Sequence, residues 1–181
     1  MRTRVAWVVA AFSMTLVAQM QPKLSLRSFT HIADAAPAAA LSNRLRQWLT
    51  ADLRRRAHAC AAQVQTTVIE IPPANKSGHV YVVSHRAPCT CGATGNCTVT
   101  LLEETPGGIR LIARVDAWGY SFAQRTNAPY PDIFFSAHMS SRETAVSGYG
   151  YAGGRWANLY CGSITFDDAG HEADDIHECP R

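Results

Sequence analysis

From Leu41 onward, apolar residues return every three or four positions: Leu41, Leu45, Leu49, Leu53, Ala57, Ala61 and Val64. Trp48 and Cys60 sit beside that line, and the spacing predicts one amphipathic helix over about residues 42–62. Ser42 is placed to cap its N-terminus, although no Glu stands three residues later to complete a capping box. Asp52 precedes Arg55 and Arg56 by three and four residues, a helix-face pairing worth ~0.2–0.5 kcal/mol. The arginines are expected to face water.

The period then changes from 3.6 to 2. Thr67, Ile69 and Ile71 alternate with Thr66, Val68 and Glu70. Val80 and Val82 alternate with His79, Tyr81 and Val83, and Cys97, Val99 and Leu101 form a third run. After the Pro106-Gly107-Gly108 turn, Ile109, Leu111, Ala113 and Val115 are expected on one face, with Arg110, Arg114 and Asp116 on the other. Trp118, Tyr120 and Phe122 continue that alternation, Ile133–His138 reads as a short strand, and Gly153-Gly154 marks a tight hairpin. The gaps are mostly too short for parallel crossovers. The expected class is α+β, mainly β: one N-terminal amphipathic helix packed on an antiparallel sheet or small β-sandwich.

The Pro131–Phe135 step followed by a Tyr/Gly-Gly/Trp hairpin resembles one blade of an FG-GAP-type β-propeller. The likeness covers only that stretch and lacks the acidic calcium-loop repeat. It implies a local strand arrangement and no function.

Composition adds a compartment. Arg2 and Arg4 precede an apolar run from Val5 to Ala18, the layout of a secretory signal peptide and shorter than a membrane-spanning helix. Residues 1–18 are therefore expected to be removed, with a better-fitting but late cut near Ala33-Asp34-Ala35 that would extend the loss to residue 36. Residues 19–40 read as a flexible lead, 41–166 as one globular domain and 167–181 as an acidic C-terminal tail. Of 17 basic residues, 15 remain without Arg2 and Arg4, against 14 acidic ones, so the +3 of the whole chain falls to +1. With only Arg54-Arg55-Arg56 as a basic cluster, a nucleic-acid partner is not expected. The Ala- and Arg-rich composition suggests a high-GC bacterium, and export then means a secreted or periplasmic protein with no membrane span after signal removal.

Six cysteines fit an oxidising compartment: Cys60, Cys89, Cys91, Cys97, Cys161 and Cys179. Their connectivity stays open. Cys91–Cys97 is favoured across the Gly92–Asn96 turn, which leaves Cys89 for Cys60 or Cys161 and Cys179 for the remaining partner.

Three sets of residues could carry chemistry. His85 with Cys89, Cys91 and Cys97 could form a Cys₃His metal site, although the spacing is not that of a zinc ribbon and oxidation competes. His138 with Ser136 and Asp132 could serve a hydrolase, but no Gly-x-Ser-x-Gly elbow supports it. The carboxylates and histidines of the tail lack an EF-hand register. Aromatics crowd the second half and are expected mainly in the sheet core; an open face would suit a peptide or carbohydrate. The expected function is that of an exported, disulfide-stabilised binding or cell-envelope protein without catalytic activity or cofactor. A small secreted hydrolase using His138 or His85, and a metal-handling protein using the cysteine loop, are the alternatives.

Overall fold

The computed structural model describes residues 23–56, 60–72, 78–125 and 127–180. The proposed signal segment lies outside them. The helix α1 spans Asn43–Arg56. Ser42 caps it as expected, accepting a hydrogen bond from Leu45 N at 3.0 Å. Its hydroxyl also donates to Glu104 at 2.7 Å, which ties the start of the helix to a residue 62 positions away.

Two antiparallel sheets follow. One comprises β2 (Gln65–Ile71), β3 (His79–Arg86), β4 (Cys97–Thr105) and β5 (Gly108–Ala117), in that order. The other has six strands. They are β1 (Thr30–His31), β6 (Gly119–Ala123), β7 (Asp132–His138), β8 (Glu143–Ala152), β9 (Arg155–Phe166) and β10 (Glu172–Glu178), again in chain order. The class is mainly β with a packed helix, as the periodicity indicates. The Tyr/Gly-Gly/Trp hairpin belongs to this six-stranded sheet and not to a propeller blade. Gly153 and Gly154 have φ of 58° and 81°, the pair of positive angles that a two-residue turn between Ala152 and Arg155 requires.

The sheets pack face to face. Ile69, Ile71, Val80, Val82, Val99 and Leu101 meet Tyr120, Tyr130, Ile133 and Phe135 in the central core. On the far side of the four-stranded sheet, Leu45 and Leu49 of α1 pack on Val68, Tyr81, Val83 and Leu102. On the far side of the six-stranded sheet lies a third cluster: Leu24, Phe29, Phe134, Val146, Tyr160, Ile164 and Ile176.

That third cluster alters two expectations. From Lys23 onward the lead is not a loose string: Leu24, Phe29 and Ile32 are buried, β1 pairs with β6, and Leu26 N donates to Glu172 at 2.5 Å. Three apolar side chains among polar neighbours suffice to dock it. The acidic tail likewise forms β10, paired along its length with β9, with Ile176 as its buried anchor. Its charges line a sheet edge, where they discourage pairing with another chain.

The β5 alternation also differs in one respect. The register shifts between Leu101 and Leu102, where Leu101 faces Ala113 and Leu102 faces Leu111, leaving Ile112 as an extra residue. This bulge reverses the pleat. Ile109 therefore packs under the helix, Ile112, Ala113 and Val115 face the central core, and Leu111 is exposed.

Candidate functional site

Three disulfides brace the molecule: Cys60–Cys89, Cys91–Cys97 and Cys161–Cys179. All six sulfurs are thereby occupied, so Cys89, Cys91 and Cys97 present no thiolates beside His85, and the Cys₃His set is not assembled. Among the described residues no group of three or more His, Cys, Asp or Glu side chains is arranged to hold a metal ion. The same bridges point to an oxidising environment, and no helix among the described residues is long and apolar enough to cross a membrane.

The residues His138, Ser136 and Asp132 lie on one strand but do not converge. Asp132 and His138 stand at opposite ends of β7, about 20 Å apart at the usual rise per residue. The His138 ring stacks on Trp118 with centroids 4.8 Å apart. Its backbone is clasped by Asn96, which donates to the His138 carbonyl and accepts from its N–H, both at 2.9 Å. Ser136 is fully buried, and its hydroxyl has no hydrogen-bond partner among the described residues.

His85 has a different setting. It lies on β3 opposite Thr66, on the face of the sheet that α1 covers, and is buried. Its Nδ1 and the Thr66 hydroxyl are 3.0 Å apart, and its Nε2 lies 3.8 Å from Asp52 Oδ2. Burial holds the imidazole below its ordinary range, the Asp52 carboxylate opposes that shift, and Arg114 adds to it. A carboxylate facing Nε2 favours the tautomer with its proton there and with the Thr66 hydroxyl donating to Nδ1.

Asp52 is itself only 1% exposed. It accepts from Arg56 Nε at 3.0 Å and from Arg114 Nη2 at 3.0 and 3.2 Å, while Arg55 Nη2 lies 3.5 Å away. Thr66, His85 and Asp52 thus form a hydroxyl–imidazole–carboxylate line, but the carboxylate is engaged by three guanidinium groups rather than by the imidazole. The sequence pairs Asp52 with Arg55 and Arg56 on a helix face but does not show that it is buried. The 45–49–52 spacing, steps of four and three, was the signal that it shares the buried stripe.

A second polar cluster surrounds Asp132. Its carboxylate lies 3.4 Å from Arg125 Nη2 and 3.4 Å from the Tyr160 hydroxyl. Burial raises its pKa above the ordinary range, partly offset by Arg125. Gly148 and Gly150 on β8 leave the space this row needs. A Cβ on Gly148 would come within 2.6 Å of Phe134, and one on Gly150 would meet the Asp132 carboxylate.

Next to this cluster, between the β8–β9 hairpin and the end of β10, lies a cleft of about 680 Å³. Arg125, Arg155, Asn158, Leu159, Tyr160 and Glu178 line it, together with Cys179. The Cys161–Cys179 bridge fixes Cys179 to β9. Neither arginine nor Glu178 stands out in the sequence, because strands distant along the chain bring them together. The aromatics mostly fill the core, as their alternation suggests: Tyr120, Tyr130 and Tyr160 are buried, while Phe122 is 40% exposed. Set against known protein families, curated proteins and solved structures, the chain matches none of them.

Proposed function

We propose that the protein is an exported, disulfide-braced binding protein of the cell envelope or its surroundings, without chemistry of its own, and that its ligand is a short peptide held in the hairpin cleft. The observation that carries this reading is the mixed charge of the cleft. Two guanidinium groups and one carboxylate line the same space, whose volume is in the usual range for ligand sites. A peptide with free ends supplies a carboxylate for Arg155 and an ammonium for Glu178. Arg125 is already paired with Asp132 and donates to the Tyr151 carbonyl at 2.7 Å, so a neutral carbohydrate would leave Arg155 and Glu178 without counter-charges. The basic-then-apolar layout of residues 2–18 supports export to the oxidising compartment that the disulfides need.

Calorimetry with short peptides tests this reading. Peptides with free termini should bind, N-acetylated and C-amidated versions should bind at least about tenfold more weakly, a loss of about 1.4 kcal/mol, and Arg155→Ala should reproduce the loss. Binding of neutral oligosaccharides in place of peptides would refute it.

A hydrolase built on His85 is the second reading, favoured by the Thr66–His85–Asp52 line. It requires ester or peptide turnover by the wild-type protein that disappears in both Thr66→Ala and His85→Gln.

A further inference from the structure

We propose that a separate cavity, beside Leu53 and Arg56 of α1, binds a small oxyanion: phosphate, sulfate or a carboxylate group. The described part of the helix reaches Arg56 above the polar end of the four-stranded sheet, where Thr66, His85, Thr98 and Asp116 follow one another across the strands. The gap measures about 360 Å³ and is walled by Arg56, Arg114, Asp116, His85, Thr98 and Cys89.

The hydrogen bonds in the wall decide the sign of the ligand. Arg114 uses Nε on Thr100 and Nη2 on Asp52, and Arg56 uses Nε on Asp52. Among the described residues, no acceptor takes Nη1 of Arg114 or either Nη of Arg56. Asp116 accepts from the Thr98 hydroxyl at 3.2 Å. The lining carries Arg56 and Arg114 against Asp116, while Arg55 outside the lining offsets the buried Asp52 behind it, and burial lowers the pKa of His85.

Unused guanidinium donors beside a net positive wall are complementary to an oxyanion, which accepts in pairs. The volume holds one such ion with several waters. Bonds to Asp52 and Thr100 hold Arg114, and a bond to Asp52 holds Arg56, so the donors are in place before the ion arrives. Nε2 of His85 is closed to solvent and does not touch the ion. Its ring forms part of the wall and serves as the reporter.

The test follows the His85 ring nitrogens by proton–nitrogen NMR of the whole protein. Sodium phosphate is titrated to about 10 mM, ten times a millimolar Kd, with chloride holding the ionic strength constant. A saturable shift centred on His85 is expected. Arg56→Gln should weaken it at least about tenfold, and Asp116→Asn, which removes a repulsive charge at an exposed position, should strengthen it. Arg155→Ala, in the hairpin cleft, should leave it unchanged. O-phosphoserine in place of phosphate separates the sources: tighter binding assigns an esterified group, weaker binding a free ion. A shift that fails to saturate, that chloride alone reproduces, or that neither wall variant alters would overturn the proposal.

Discussion

Arg114 of the sheet reaches Asp52 of the helix across 62 residues of sequence, and its Nη2 donates to both carboxylate oxygens, at 3.0 and 3.2 Å. Asp52 is more deeply buried than the guanidinium that holds it, at 1% against 18% side-chain exposure. Breaking such a pair leaves one charge uncompensated. Asp52→Ala should therefore lower the unfolding free energy by about 3–5 kcal/mol. Asp52→Leu combined with Arg114→Met should recover much of that loss, because the same element contact becomes apolar. Urea unfolding of the single and double variants measures both.

His85 gives this contact a pH dependence. Its folded-state pKa is depressed by burial, so between that value and the unfolded value of 6.5 the unfolded chain binds a proton that the native protein does not. Stability should be complete above pH 6.5 and decline as the pH falls through that window, then level off below the folded pKa. His85→Gln should remove this component, and the difference between the two proteins' urea midpoints at pH 7.5 and 5.5 reports it. Equal acid sensitivity in both would exclude His85 as the source.

The hairpin cleft depends on the absence of a side chain at Gly150. A methyl group there would meet the Asp132 carboxylate and come within 2.6 Å of Leu159 Cδ1. Gly150→Ala should cost about 1–3 kcal/mol by overpacking and should weaken peptide binding, since Leu159 lines the cleft. Thermal unfolding and calorimetry on the same variant record the two effects. Gly107→Ala, at a turn where a Cβ meets nothing nearer than 3.6 Å, is the control.

The Cys161–Cys179 bridge closes an 18-residue separation and holds β10 at the sheet edge. Replacing both cysteines with serine should reduce stability by about 2–4 kcal/mol. Glu178 and the end of the cleft should loosen with it, lowering peptide affinity while the Cys60–Cys89 side is unaffected. Hydrogen exchange should show lost protection in β10 before any other strand. Uniform loss across both sheets would contradict this division.

The helix stripe and the change to period 2 were readable in the chain because each depends on neighbours a few residues apart. The division into two sheets was not. β5 ends at Ala117 and β6 begins at Gly119, so an alternation that reads as continuous through Trp118 and Tyr120 changes sheet across a single residue. What fixes the crossing is non-local: Trp118 N donates to the Ser136 carbonyl, and Ile32 N donates to the Trp118 carbonyl. The bulge at Ile112 is hidden for the same reason, being a property of two paired strands. At the candidate sites, charge was the misleading cue. Asp52 and Arg114 read as surface residues individually, and only their pairing makes them interior.

Docking of the lead against the outer sheet bears on the maturation of an exported chain. Ile32 belongs to the central core, Leu24 and Phe29 to the outer one, and each buried side chain of this kind is worth about 1.5–3 kcal/mol. A signal peptidase cutting after Ala35 would discard all three residues together with the edge strand that shields β6. The better-fitting small-residue motif, Ala33-Asp34-Ala35, is folded into a 3₁₀ turn whose cap is the His31 ring, and is a poor substrate once the domain has closed. On the proposed export reading, cleavage is expected ahead of Leu24, and intact-mass analysis of protein recovered outside the cytoplasm should find Leu24, Phe29 and Ile32 retained. The weaker local signal near Ala18 is the one compatible with a finished fold.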